Sequence, residues 1–136
     1  MEPRITNCFW ASLFWLVFSF SIFSQDKPNH QQTSPETEII DSIAQQGYDL
    51  WIRDPAESVK LGQQAYALAD EIKYSKGAAF AKRVSGVGHW TLGESKDALF
   101  DLYEGLELYE GLNDLEGVSN IKLNIGMVYA DIDEDS

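Results

Sequence analysis

Residues 54–93 read DPAESVKLGQQAYALADEIKYSKGAAFAKRVSGVGHWTLG. Asp54 followed by Pro55 marks a helix start. The carboxylate can accept from the free N–H groups of a first turn, and the fixed φ of proline suits the first helical position. From there Val59, Gly62, Ala65, Tyr66, Ala69 and Ile72 fall on one stripe at helical spacing, which predicts a helix to about Lys73. Ser75 opens a second helix that ends near Leu92-Gly93, where glycine can take the left-handed cap. No stretch of the chain after residue 35 alternates like a strand, so the expected fold class is all-α.

Working outward, a shift of 40 residues lays turn on turn and helix on helix without a gap. Asp54-Pro55 falls on Glu94-Ser95, Tyr74-Ser-Lys-Gly77 on Asp114-Leu-Glu-Gly117, and Lys82 and Gly86 on Lys122 and Gly126. Upstream, Thr37 is read as the cap of a first helix through Trp51, with Ile39, Ile40, Ile43, Leu50 and Trp51 as its apolar residues. Downstream, Ser95 starts a fourth helix carrying Leu99, Leu102, Leu106 and Tyr109, and Asn113-Asp114 breaks it. A fifth carries Val118, Ile121, Ile125, Val128 and Ile132. Gly62, Gly86, Gly88, Gly105 and Gly126 lie inside these helices, each at a cost of about 1 kcal/mol relative to alanine. The expected compensation is close helix-to-helix approach, with no Cβ to hold the backbones apart.

On these residues the chain resembles a tetratricopeptide repeat array of the long, roughly 40-residue kind. That family places a small residue in the first helix of each repeat, an aromatic three residues later, and small residues in the second helix. Gly126 and Tyr129 match the first pair; Gly86 matches too, but His89 stands where the aromatic is usual. Ala98 and Gly105 match the second-helix small residues, with Leu102 replacing the aromatic there. Ser58 and Ala65 fit in the first repeat, whose Gly47 is one residue out of register. The resemblance implies a right-handed helical-hairpin solenoid of about two and a half repeats, over residues 36–74, 75–113 and an incomplete 114–136. It extends to the arrays outside the membrane in bacterial sensor proteins, where a signal peptide precedes the repeats. There a membrane helix and a kinase, cyclase or DNA-binding output module follow.

Residues 1–24 differ from the rest. Arg4 and the amino terminus outweigh Glu2, and an uncharged run follows from Cys8 to Phe23. Sixteen residues fall short of the roughly 20 of a membrane span. Small residues close the run at Ser19, Ser21 and Ser24. This is the layout of a secretory signal peptide cut after Ser24 or Ser21, and it predicts a periplasmic or secreted protein. The alternative is an uncleaved anchor formed by residues 9–23. Residues 25–35, QDKPNHQQTSP, read as a flexible linker. The formal charge of −12 excludes nucleic acid as a partner, since phosphate needs basic residues to replace its counterions. It also disfavours anionic lipid and permits a basic partner. The single Cys excludes a disulfide framework or a cysteine-based zinc site.

Catalytic chemistry finds little support. His89 has no second His or Cys in helical reach. Asp131, Asp133 and Asp135 alternate like the opening of a calcium loop, but the later Gly and bidentate Glu are absent. Asp70, Glu71, Glu104, Glu107 and Glu110 read as solvated helix faces. The expectation is therefore no enzyme, no cofactor and no metal. What remains is a binding surface. In arrays of the resembled family the first helices of successive repeats line the concave face. In register these positions are Ile40, Ile43, Leu50 and Trp51, then Phe80, Arg83, Val87, Trp90 and Thr91, then Asn120, Leu123, Met127, Ala130 and Asp131. Arg83, Val87 and Trp90 share one helix face, and Leu123 and Met127 continue it, so these five are the candidate partner-binding residues. The expected function is an exported scaffold for a protein or peptide partner. The alternative is the N-terminal sensing fragment of a membrane signalling protein. The fifth helix has no following partner in the sequence. That suits a fragment of a longer product, self-association through the last helix, or a poorly ordered end.

Overall fold

The computed structural model describes residues 33–134; the segment read as a signal peptide, most of the linker and the last two residues lie outside the described residues. Five helices follow in order: α1 Pro35–Leu50, α2 Pro55–Glu71, α3 Ser75–Thr91, α4 Ser95–Gly111 and α5 Leu115–Glu134. Their first residues are spaced 20 apart, so two helices make one 40-residue unit. There is no strand among the described residues.

Local chemistry sets these boundaries. The Ser34 hydroxyl accepts from the Thr37 N–H at 3.2 Å, and the Thr37 hydroxyl accepts from the Ser34 N–H at 3.0 Å. This is a reciprocal capping box ahead of Pro35, so Ser34 and not Thr37 caps α1, and the linker is correspondingly shorter. Asp54 accepts from the Glu57 N–H at 3.1 Å, and Asp114 from the Gly117 N–H at 2.9 Å. The ends of α2, α3 and α4 share one device. Lys73, Gly93 and Asn113, again 20 apart, take φ of 57°, 77° and 54°. Each donates its N–H to the carbonyl three residues back, while the next residue donates to the carbonyl five back. This is the Schellman pattern, which satisfies otherwise free carbonyls. Lys73 adopts it without glycine's freedom, at a cost of about 1–2 kcal/mol.

Each helix packs on the next. In addition α1 meets α3, and α3 meets α5, whereas α2 and α4 do not meet among the described residues. The odd helices thus form one layer, the even helices a second, and α3 touches the other four. One core cluster joins α1, α2 and α3 around Ile40, Ala44, Ala65, Ala69, Ala81 and Val84. The other joins α3, α4 and α5 around Ala79, Ala98, Leu102, Tyr109, Ile121 and Val128. The predicted stripe of α5 is largely inside: Ile121, Ile125 and Val128 are buried, with Val118 and Ile132 packed against them. Ile39 and Ile72, counted as apolar-face residues from their spacing, are exposed instead.

Close approach explains most of the interior glycines. A Cβ on Gly62 would stand 2.7 Å from the Ser85 backbone nitrogen and 3.0 Å from the Ala81 carbonyl oxygen. From the other side, a Cβ on Gly88 would stand 2.7 Å from a Val59 methyl. Gly126 departs from the expectation: nothing lies within 4 Å of where its Cβ would be. Opposite outcomes follow for one substitution at two sites. Gly126→Ala removes a helix-propensity cost of about 1 kcal/mol at an open position and raises Tm by ~4–8 °C. Gly62→Ala forces two backbones apart and lowers Tm. Thermal melts followed by circular dichroism check both signs.

Candidate functional site

A groove of about 400 Å³ runs between α1, α3 and α5. Asp41 and Gln45 line it from α1, Lys76, Phe80 and Arg83 from α3, Tyr109 from the last turn of α4, and Glu116 and Asn120 from α5, with Asp114 at the α4–α5 turn. Asp41 and Gln45 lie four apart on α1, and Lys76, Phe80 and Arg83 four and three apart on α3, so each set shares one face. Arg83 is the tie across this surface. Its Nε donates to Asn124 Oδ1 of α5 at 2.9 Å, and Nη2 donates to the Tyr48 hydroxyl of α1 at 3.4 Å. Its guanidinium also sits 5.2 Å from the centre of the Tyr48 ring, within cation–π range. Phe80 packs on Tyr48 with ring centroids 5.8 Å apart.

Two tyrosines are fixed beside the groove. Tyr74 donates its hydroxyl to Asp41 at 3.0 Å, linking the start of α3 to α1. Burial, then the bond to Asp41 and its charge, push the Tyr74 phenol up to about 12. Burial also pushes Tyr109 up to about 12, against the pull of Arg83 and with the help of Asp114. Asp41, Asp114 and Arg83 already have partners. Lys76 and Glu116 are the charges lining the groove that have none among the described residues.

A second set lies seven residues further along α3. Trp90 stacks on Trp51 with centroids 5.9 Å apart and planes at 17°, and its indole N–H donates to Asp131 of α5 at 2.5 Å. Three odd helices therefore meet at Trp90, as they do at Arg83. Between the layers, Lys82 donates to Asp101 at 2.9 Å and lies 2.6 Å from Glu104, with its ammonium 4.3 Å from the centre of the Tyr66 ring. Burial alone would lower the pKa of Lys82; the bonds to Glu104 and Asp101, and their charges, outweigh it and raise the pKa.

Of the five candidate residues, Arg83 lines the groove and Trp90 is half-buried in the tryptophan stack. Val87 is a correction: at 2 % exposed it presents no surface to a partner. Ile40, read as concave, is also core. Leu123 is 65 % and Met127 39 % exposed, both on α5 and outside the groove lining. Phe80 and Asn120 do line the groove, and Trp51 and Asp131 do meet Trp90. The sequence reading missed Asp41, Gln45 and Tyr48. Their spacing of four and three on one face of α1 was the available signal, overlooked in favour of the neighbouring isoleucines. It also found no partner for His89. The turn after α3 brings Glu94 back to 2.5 Å from His89 Nδ1, and possible ligand atoms of His89, Glu94 and Asp97 lie within 4.8 Å of one another. The positive N-terminal end of α4 already favours these carboxylates, so their closeness needs no cation.

No family model, no curated protein and no solved structure matches this chain. No helix among the described residues is long and apolar enough to cross a membrane.

Two outcomes follow from this geometry. Tyr74 and Tyr109 have raised folded-state pKa values, so the stability they contribute is complete below the ordinary value near 10 and is lost as pH rises towards 12. Alkaline titration of tyrosine absorbance should show Tyr74 and Tyr109 ionising late, together with loss of helical circular dichroism, and Tyr74→Phe and Tyr109→Phe should each remove a late-ionising phenol. Trp90→Ala removes a stack worth about 0.5–1.5 kcal/mol beyond its area burial, and lowers Tm while native helix content persists at 25 °C.

Proposed function

We propose that the chain is an exported, non-enzymatic scaffold, built as a right-handed solenoid of about two and a half tetratricopeptide-type repeats. It holds a segment of a partner protein or peptide in the groove between α1, α3 and α5. The observation that carries this reading is the groove itself: a recess lined from three odd-numbered helices and the end of α4, with aromatic rings at Phe80 and Tyr109 and with charges at Lys76 and Glu116 that have no partner among the described residues. The 20-residue spacing of helices, and contact between alternate helices in one layer only, support the solenoid. The signal-like residues 1–24 support export. Three carboxylates line the groove against two cations, and Arg83 is committed to Asn124 and Tyr48, so the fitting segment carries a basic side chain beside an apolar one.

Peptide display against the full chain tests this. Selected peptides are expected to carry a basic residue beside an aromatic or aliphatic one. Glu116→Lys is expected to weaken their binding at least tenfold, and Lys76→Glu to strengthen or preserve it, with helix content unchanged in both. Peptides that bind wild type and Glu116→Lys equally well would remove the groove as the site.

A further inference from the structure

Two side chains of α3 tie α1 to α5, and they stand seven residues apart on one helix face. Arg83 bonds to Tyr48 of α1 and to Asn124 of α5. Trp90 stacks on Trp51, at the end of α1, and donates to Asp131 of α5. Seven residues before Arg83 stands Lys76, and there the tie is not repeated. Seven before Tyr48 stands Asp41, and seven before Asn124 stands Gly117. Gly117 has no side chain to offer, and the Tyr109 ring lies where one would begin. Lys76 has no partner among the described residues, and it lines the groove together with Asp41 and Gly117. The groove is therefore the level of this ladder at which α3 does not join α1 to α5.

We propose that the segment held in the groove joins them there with the guanidinium of an arginine. This rests on the groove reading above and names the side chain that the groove selects. Arg83 shows what the same layer accepts one level along. Its guanidinium lies 5.2 Å from the centre of a tyrosine ring, and its Nε donates to an asparagine carbonyl oxygen at 2.9 Å. The groove offers the same elements with more negative charge. Asn120 stands one turn before Asn124 on α5, and Phe80 and Tyr109 supply rings. Carboxylates stand on both sides, Asp41 on α1 and Glu116 on α5. Asp41 takes the Tyr74 hydroxyl on Oδ2, which leaves Oδ1 for a guest. A planar fork with five donors can bond acceptors on two helices while its face lies on a ring. An ammonium is a compact point charge without that reach or that face. The occupant is a segment of another protein, since among residues 1–32 the only guanidinium is Arg4, ahead of the uncharged run.

The probe is a library of random hexapeptides displayed on phage and selected against the full chain. At the basic position arginine is expected at least tenfold more often than lysine, after correction for codon abundance. The most enriched peptide is then synthesised with arginine, lysine or citrulline at that position and measured by fluorescence anisotropy. Lysine keeps the charge without the fork, and citrulline keeps the shape without the charge; each should weaken binding at least tenfold. In the protein, Lys76→Arg conserves charge but lets α3 supply the tie itself. It should weaken the arginine peptide at least tenfold and raise Tm, whereas Lys76→Gln should not weaken it. Circular dichroism confirms that both variants fold. Selected peptides that use lysine as readily as arginine, or Lys76→Arg that binds as wild type does, overturn this inference and leave the groove reading standing. A selection without a basic residue removes both.

Discussion

Helix α3 packs on all four other helices, and it does so because so much of its surface has little side chain. Gly77, Ala78, Ala79, Ala81, Ser85, Gly86 and Gly88 are all buried in it. Glycine in a helix interior costs about 1 kcal/mol relative to alanine. Against that cost, backbones that approach to contact gain many small dispersion terms along their length. The Gly62–Ser85 and Gly88–Val59 contacts show how little room is left between α2 and α3. If these residues grew, α3 would have to give up a neighbour. The groove exists only because α1 and α5 both lie against this one helix.

Polar contacts hold the layers in register on that tight frame. Lys82 sits between Asp101 and Glu104 with about a tenth of its side chain exposed, and a tyrosine ring lies beside it. Burying such a cluster costs desolvation that its attraction roughly offsets, so its contribution to net stability is small. Its geometric effect is larger, because sliding α4 along α3 by one turn would strand an ammonium and two carboxylates. Arg83 and Trp90 do the same among the odd helices, each bonding to a residue 41 positions later on α5. The two residues most prominent as binding candidates from sequence therefore also act as ties between repeats.

The helices and most of their ends were legible in particular residues. Asp54-Pro55, Gly93 and Asn113-Asp114 act where local chemistry says they should. The start of α1 was misread by three residues. Ser34-Pro35 repeats the Asp54-Pro55 signal, but it was absorbed into a polar, proline-containing stretch. The candidate site was half legible. Register along the odd helices picked out Phe80, Arg83 and Asn120 and put Trp51, Trp90 and Asp131 on one face, without pairing them. It failed at Val87 and Ile40, since periodicity marks a face without saying which of two neighbouring faces is covered.

The sequence by itself determined five helices, their 40-residue pairing and their turns, because these depend on capping, φ preferences and spacing within a few residues. It also determined which positions are small enough for close approach. Only the tertiary structure decided which of those positions are occupied. Gly86 and Gly126 are the same residue at the same place in their repeats, yet one lies under Leu102 and the other is open. Burial depends on what stands opposite a residue, and that is set by neighbours tens of residues away in the chain.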